Sequence, residues 1–220
     1  MRAVAVFPAS REVKVIDHKD PRISQPDQVK LRILDVGICG TDKEICSFEY
    51  GTAPPGDNYL VIGHESLAAV VETGSAVERF QPGDLVVPSV RRPCSHSGCR
   101  ACRSGHQHQH QHQDYCYTGE FRERGIKEAH GYMTEHVVDQ ERHLNLVSLD
   151  LRDIAVLTEP LTIAEKVLSQ IFWMMQQRPP WLDPQTPAEE RGKGLSALVL
   201  GIGPVGLLGA MAMVSAGFTT

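Results

Sequence analysis

The feature that most restricts this chain is a group of four cysteines within one short segment. They are Cys94, Cys99, Cys102 and Cys116, and only two further cysteines occur in the 220 residues. The start of the chain, MRAVAVFPAS, has no long apolar core followed by a cleavage site, so we expect a cytoplasmic protein. In a reducing compartment, clustered cysteines are metal ligands more often than disulfide partners. The spacing therefore predicts a metal site.

The composition excludes two classes of partner. The formal net charge is -5 and the isoelectric point is about 6.0, which gives no basic surface for a phosphate backbone. No segment reaches the roughly 18 apolar residues that a membrane span needs. A hydrophobic content of 41% is sufficient for a folded core. We expect a globular protein that binds neither nucleic acid nor a membrane.

Short apolar or alternating runs dominate the first 90 residues. Turn signals such as PASR, QPDQ and QPGD separate them, which is typical of an all-β barrel or sandwich with short strands. The predicted strands are RAVAVF, EVKVID, VKLRILDVGI, SLAAVVETG and DLVVPSV.

The pattern changes near residue 158. The segment LTIAEKVLSQIFWMMQQ has apolar residues at helical spacing, and the Pro-rich stretch RPPWLDPQTPAEERGKG ends that helix. The next segment, LSALVLGIGPVGLLGAMAMVSAG, predicts a buried strand, a glycine turn and an apolar helix capped by Gly217. This is the beginning of a βαβ unit.

The glycine turn has the GxGxxG pattern of a dinucleotide site. Gly201 permits the tight turn, Gly203 allows a pyrophosphate to approach the backbone beside Pro204 and Val205, and Gly206 allows close packing of helix and strand. The alternative is a glycine-rich turn between two buried elements. The acidic residue that meets the ribose is expected about 20 positions further on, past Thr220, so NAD and NADP both stay open.

A second candidate metal site involves Cys39, His64 and Glu65. Each residue lies at the end of a predicted strand beside a glycine, in VGICGTDKEI and VIGHESLAAVV. Thiolate, imidazole and carboxylate are zinc ligands, and three protein ligands leave a position for a substrate oxygen. Taken singly, Cys39 could be a buried thiol and His64 a core histidine. The combination favours a catalytic zinc site.

At this point the chain resembles the zinc-containing medium-chain dehydrogenase/reductase family, in its glucose 1-dehydrogenase branch. The matching stretches run in the order of that family and include GICGTDKEI, GHES, FQPGDLVVP, CYTGEF, HGYMTEHVV, LTEPL and GIGPVG. The resemblance implies a mixed β and α/β fold, with a GroES-like β-barrel catalytic domain over residues 1–158. Residues 159–220 would hold a connecting helix, a linker and the first strand-turn-helix of a Rossmann domain, so we expect the amino-terminal portion of a homo-oligomeric enzyme.

The resemblance also assigns roles to individual residues. It implies that Cys39, His64 and Glu159 hold a catalytic zinc, with Glu65 either as a ligand or as a neighbouring carboxylate that exchanges with one. It also implies that the four clustered cysteines hold a structural zinc. Thr41 would lie beside the reacting oxygen, and Glu120 and Glu159 would bind the sugar. Without the resemblance, we would interpret Glu120 and Glu159 as charged residues in exposed loops.

The implied activity is zinc-dependent transfer of a hydride from the anomeric carbon of an aldose to NAD or NADP, giving a lactone. A polyol or secondary-alcohol dehydrogenase of the same family is one alternative, and a non-enzymatic zinc-binding module is another. We also expect this chain alone to bind zinc but to lack dehydrogenase activity, because it supplies one strand and one helix of the nucleotide-binding sheet.

The segment between Cys102 and Cys116 contains four His-Gln pairs. The family usually has seven residues in this gap and this chain has thirteen, so removal of HQHQHQ would restore seven. We interpret three pairs as a repeat expansion in an exposed loop, because loop-closure entropy rises slowly with length. The alternative is that His106, His108, His110 and His112 bind metal themselves.

Overall fold

The computed structural model describes residues 1–103, 115–177 and 182–220. Two compact units, Met1–Leu157 and Thr158–Thr220, divide the chain. The first unit contains eleven described strands and two short helices. The strands are β1 Arg2–Phe7, β2 Glu12–Asp17, β3 Gln28–Gly37, β4 Leu60–Val61, β5 Glu65–Thr73, β6 Leu85–Pro88, β7 Arg91–Arg92, β8 Arg122–Arg124, β9 Glu128–Ala129, β10 His136–Gln140 and β11 Leu144–Val147. The helices are α1 Gly40–Cys46 and α2 Arg100–Arg103.

These strands form three sheets, with the orders β2-β1-β4, β10-β3-β5-β6-β11 and β7-β8-β9. All five strands expected from the alternating runs are present. The expected barrel is not closed among the described residues, because β4 and β5 belong to different sheets. Gly63, at φ +88°, lies between those strands and turns the chain from one sheet to the next. Such a positive φ is accessible mainly to glycine.

The core of the first unit lies on one face of the five-stranded sheet. Alternate residues of its strands point inward, as the period of two predicts. The buried cluster there comprises Val29, Leu31, Ala68, Val70, Phe80, Val86, Tyr132, Val137 and Leu144. A second cluster around Ile45 and Leu60 joins α1 to β1 and β4, and this contact fixes the helix that carries Thr41.

The second unit contains α3 Thr158–Gln176 and α4 Pro204–Ser215. Helix α3 buries residues at positions i, i+4, i+8 and i+11, which form one face of an α-helix. That face packs against α4 and Phe218 through Ala164, Leu168, Phe172, Met175, Ala212 and Ala216. No helix of the described residues combines the length and the apolar character needed to cross a membrane.

One element of this unit differs from the prediction. The expected buried strand over LSALVL forms a single bridge, Ser196 to Thr219, and Leu198 and Leu200 are 85% and 87% exposed. A strand needs a partner for its backbone groups, and among the described residues this segment has one only around the Ser196–Thr219 bridge. The expected cap is confirmed, because Gly217 has φ +90° and its N–H donates to Val214, while the Phe218 N–H donates to Met213.

Candidate functional site: a three-ligand cluster and a four-thiol cluster

Cys39, His64 and Glu65 come together in the first unit. Their ligand atoms all lie within 4.8 Å of one another, and Cys39 Sγ is 3.1 Å from His64 Nε2. The three residues come from distant parts of the chain. Cys39 follows β3 and begins α1, whereas His64 and Glu65 stand at the corner that opens β5. The arrangement agrees with the sequence prediction of a clustered ligand set.

Cys39 is held in place as the N-cap of α1. Its Sγ accepts a hydrogen bond from the Thr41 backbone N–H at 3.3 Å, and its own backbone N–H donates to Asp42 Oδ2 at 3.0 Å. The Asp42 backbone N–H also donates to the Cys39 side chain, which completes a capping box in which cysteine replaces serine or threonine. The local sequence of the helix therefore fixes the direction of the thiol.

Glu65 faces a glycine on the neighbouring strand. Gly37 pairs with Glu65 in the register of β3 and β5, and a Cβ added at Gly37 would lie 2.2 Å from Glu65 Oε2. The missing side chain thus provides the space that the carboxylate occupies. Burial raises the pKa of Glu65 above its ordinary value.

Asp42 is a site residue that the sequence analysis did not identify. It is 2% exposed, and its Oδ1 lies 3.6 Å from His64 Nδ1. Burial tends to raise the pKa of this carboxyl, but the nearby His64 imidazole and the Cys39 N–H outweigh it, so the pKa lies below its ordinary value. A carboxylate behind a ligating histidine fixes the ring and its tautomer. The Cys-x-x-Asp spacing of the capping box was the available signal.

These residues fit a zinc ion. A thiolate, an imidazole and a carboxylate are donors that zinc accepts, and three of them leave a position open. The buried Asp42 carboxylate supplies the second contact that ligating histidines usually have. The site can therefore hold a metal that also binds a substrate oxygen.

The four clustered cysteines converge on a second point in the same unit. Their Sγ atoms all lie within 4.8 Å of one another, and Cys99 Sγ is 3.9 Å from Cys116 Sγ. A tetrahedron with Zn–S bonds of about 2.3 Å has edges of roughly 3.8 Å. The four thiols, from Cys94, Cys99, Cys102 and Cys116, fit a closed structural zinc site.

The four thiols have different surroundings, which shift the pKa values of Cys102 and Cys116 in opposite directions. Burial raises the pKa of Cys102 to about 12, whereas the Thr118 hydroxyl lowers the pKa of Cys116 to about 6. His96, which lies between the first two cysteines, is not among the clustered donors. Its Nδ1 accepts a hydrogen bond from the Gly98 N–H at 3.2 Å and therefore orders the turn. The His-Gln pairs, with His106, His108, His110 and His112, lie outside the described residues.

The remaining predicted catalytic and sugar-binding residues occupy three different places. Thr41 is half-buried in the first turn of α1, next to Cys39. Glu120 is exposed in the loop after Cys116 and does not join the three-ligand cluster. Glu159 is half-buried in the first turn of α3 and belongs to the second unit. The structure thus brings three of the predicted ligands together and leaves the roles of these residues as predictions.

The glycine turn of the second unit is tight and depends on two of its three glycines. Gly201 has φ +117°, and a Cβ at Gly206 would lie 2.2 Å from the Gly201 carbonyl oxygen. Gly203 is the N-cap of α4 and has open space where a Cβ would stand. Pro204 and Val205 form the first turn of the helix, whose N–H groups are suited to an anion.

Comparison with known proteins agrees with this geometry. The family described as "Alcohol dehydrogenase GroES-like domain" matches residues 25–149. The chain belongs to this family. The GroES-like match covers more than half of the chain, and it includes both the three-ligand cluster and the four-thiol cluster.

Relatives of this GroES-like chain include two proteins named glucose 1-dehydrogenase. The protein from Methanocella arvoryzae is 41% identical over 218 residues, 99% of this chain and 55% of the relative. The protein from Thermoproteus tenax is 41% identical over 217 residues, 97% of this chain and 54% of the relative. The chain therefore spans about half the length of the curated relatives it matches.

A solved structure is also similar to this chain. It is the Haloferax mediterranei glucose dehydrogenase in complex with NADP, Zn and gluconolactone, with 31% identity and a TM-score of 0.70 over 83% of this chain and 49% of that one. A mutant form of the Haloferax mediterranei enzyme has 32% identity and a TM-score of 0.77 over 99% of this chain and 56% of the mutant chain.

Proposed function

We propose that this protein is a zinc-dependent aldose dehydrogenase that oxidises a glucose-like sugar at its anomeric carbon with NADP or NAD. The observation that carries the proposal is the Cys39–His64–Glu65 cluster, whose ligand atoms lie within 4.8 Å of one another beside a capped helix. Relatives named glucose 1-dehydrogenase and a similar enzyme solved with NADP, Zn and gluconolactone support it.

In this proposal the reaction removes a hydride from C1 and a proton from the C1 hydroxyl. The products are the lactone, the reduced nicotinamide and a proton. Zinc, when bound, acts as a Lewis acid at the sugar oxygen, and the nicotinamide accepts the hydride. Cys39, His64 and Glu65 hold the metal, with Glu159 as a further ligand. Asp42 keeps the His64 ring in its ligating orientation.

Two groups of side chains would act on the sugar directly. The Thr41 hydroxyl receives the proton of the C1 hydroxyl and passes it outward, because it stands next to Cys39 on the first turn of α1. Glu120 and Glu159 accept hydrogen bonds from ring hydroxyls and select the face of the sugar. Selectivity for a polyhydroxylated substrate follows from such contacts, since an analogue without the hydroxyl leaves a polar group unpaired.

The first unit serves as the catalytic domain and the second as the beginning of the nucleotide-binding domain in this proposal. Gly201, Gly203 and Gly206, with Pro204 and Val205, cradle the pyrophosphate at the start of α4. The six cysteines form no disulfide, and five of them belong to the two proposed metal sites, which fits a cytoplasmic protein. Assembly into a homo-oligomer completes the proposal and is measurable by sedimentation.

The test compares two cysteine variants on one helix. Cys39→Ser removes a proposed ligand, whereas Cys46→Ser changes a thiol of the same helix that belongs to neither cluster. We expect two zinc ions per chain in the unaltered protein and in Cys46→Ser, and one in Cys39→Ser. Equal zinc content in all three would contradict the catalytic site.

The activity is measured on the complete product of the gene, because the chain spans about half the length of its curated relatives. We expect glucose-dependent reduction of NADP or NAD with formation of a lactone, and its loss in Cys39→Ser but not in Cys46→Ser. Two bound zinc ions without any sugar- or polyol-dependent reduction would favour the zinc-binding module instead. A preference for polyols over aldoses would favour the polyol dehydrogenase.

A further inference from the structure

The outer edge of β4 is held by a side chain where a neighbouring strand would normally stand. One edge of β4 pairs with β1. On the other edge the Val61 N–H donates to His130 Nδ1 at 3.1 Å, and the Val61 carbonyl accepts from the Gly131 N–H at 2.7 Å. An imidazole nitrogen therefore takes the place of a strand carbonyl.

This edge leads directly to the ligand His64. Beyond Val61, the Ile62 carbonyl accepts from the Met133 N–H and the Gly63 carbonyl from the Tyr132 N–H, both at 2.9 Å. A Cβ at Gly131 would lie 2.2 Å from the Gly63 carbonyl oxygen, so the two segments are in close contact. The contacts of this edge therefore run without a break from Val61 to Gly63, the residue that precedes the histidine ligand.

The surroundings of the His130 ring determine its tautomer. Because Nδ1 accepts the Val61 N–H, the ring proton stands on Nε2, which lies 3.0 Å from Asp57 Oδ2. Tyr59 stacks on the ring at 5.0 Å, and His18 meets its edge at 5.0 Å. The side chain is 20% exposed, so a solvent proton can reach it.

We propose that His130 is a positioning residue for the metal ligand His64, and that only its neutral form, with the proton on Nε2, holds β4 in the ligating arrangement. A second proton must bind to Nδ1, where it faces the Val61 N–H. Two donors then oppose each other and the hydrogen bond is lost. The inference rests on the proposed metal site at Cys39, His64 and Glu65.

The sign of the pH dependence follows from the groups around the ring. Burial lowers the pKa of His130 below its ordinary value of 6.5, His18 and Arg124 act in the same direction, and Asp57 opposes them. The other titratable neighbour is Tyr59, whose own pKa is raised by burial. The neutral form of His130 therefore prevails at neutral pH, and the β4 contact is lost as the pH falls through the pKa of the folded protein.

Three variants distinguish the effect of the Val61–His130 hydrogen bond from the effect of a positive charge on His130. His130→Asn keeps an acceptor, because its carboxamide oxygen can stand near the position of Nδ1, but it does not titrate between pH 8 and 5. His130→Ala removes both acceptor and charge. His18→Gln alters the same aromatic cluster without touching the Val61 contact, and is the matched control.

The probe is cobalt(II) bound at the three-ligand site while the four cysteines retain zinc. We record the cysteine-to-cobalt absorption band from pH 8 to 5, together with the backbone amide resonance of Val61. In the unaltered protein we expect the band and the resonance to change together at one midpoint below pH 6.5. In His18→Gln they should still change together, but at a higher pH, because His18 lowers the pKa of His130. In His130→Asn the band should persist to lower pH. In His130→Ala the cobalt affinity should fall by roughly 2- to 10-fold above the midpoint of the unaltered protein and should not change there with pH.

Coincident fading of the cobalt band in the unaltered protein and in His130→Asn would overturn the inference, since a group other than His130 would then set the midpoint. Titration of the Val61 resonance with no change at the metal would also overturn it. The underlying site has its own control at pH 8. A cobalt band that survives in Cys39→Ser would refute the proposed metal site, whatever His130 does.

Discussion

Asp42 Oδ1 lies 3.6 Å from His64 Nδ1, while His64 Nε2 lies 3.1 Å from Cys39 Sγ. The imidazole thus stands between a buried carboxylate and a thiol ligand. The same Asp42 carboxylate accepts the Cys39 backbone N–H through its other oxygen. One acidic side chain therefore lies against two of the three proposed ligands, although it is not itself one of the clustered donors.

Asp42→Asn should weaken zinc binding at the three-ligand site by about 10- to 100-fold, because the ring loses its carboxylate partner. Chelator competition measures the affinity, and the zinc of the four cysteines serves as an internal reference. Glu44→Gln, an exposed change on the same helix, should leave both sites unaltered. Unchanged affinity in Asp42→Asn would mean that the carboxylate serves only the helix cap.

Gly37→Ala should reduce zinc affinity by about 10-fold or more while the fold persists, because the added methyl group would occupy the position of Glu65 Oε2. Gly40→Ala is the matched control, since a Cβ there has nothing within 4 Å. Metal titration followed by circular dichroism distinguishes loss of the site from loss of the fold. Equal affinity in both variants would show that Glu65 is not a ligand.

Glu120→Ala should impair turnover of aldoses far more than turnover of simple alcohols. Loss of a polar contact to a ring hydroxyl costs about 1 to 3 kcal/mol, which is roughly 5- to 150-fold in kcat/KM. Steady-state rates on both classes of substrate make the comparison, with the exposed Glu72→Ala as control. Equal losses on the two classes would remove Glu120 from the sugar site.

Asp139→Asn should destabilise the first unit by about 3 to 5 kcal/mol. Asp139 pairs with Arg92 and lies 3.3 Å from Arg124, so the change leaves a buried guanidinium without its counter-charge. Burial raises the pKa of Asp139, but the two arginines outweigh it and the net pKa is lowered. The stabilisation is therefore present at neutral pH and is lost as the pH falls through that lowered pKa.

Urea unfolding of the zinc-loaded protein measures the effect of Asp139→Asn. Asp35→Asn removes the partner of Arg152 in a half-exposed pair and should cost less than about 1 kcal/mol. A similar small loss in Asp139→Asn would show that the buried pair contributes little to the fold.

Deletion of residues 107–112 should leave the four-thiolate zinc in place. The shortened segment restores seven residues between Cys102 and Cys116, and the four thiols already converge within 4.8 Å. Zinc content and thiol accessibility of the deleted and unaltered proteins make the test. Loss of one tightly bound metal ion would indicate that the histidines are ligands.

The sequence alone determined the features that depend on residue type and near spacing. The four cysteines within 23 positions, the alternating strands and the cap at Gly217 were predictable because neighbours in the chain specify them. The glycines of the turn were predictable for the same reason, since Gly201 and Gly206 meet within six residues. Cys39 and His64 were selected as ligands by their chemistry and by a family resemblance.

Only the tertiary structure decided which distant groups meet. Gly37 makes room for Glu65 because two strands pair in one register, and His130 holds the edge of β4 across 69 positions of the chain. The prediction of a strand over LSALVL was wrong because most of that segment has no distant partner. Its residues favour a strand, but backbone hydrogen bonds need a second strand, and the described chain places only one bridge there. Local sequence patterns determine the types of ligand side chains, the turns and the secondary-structure propensities. Contacts between distant residues decide whether those ligand side chains come together in a site.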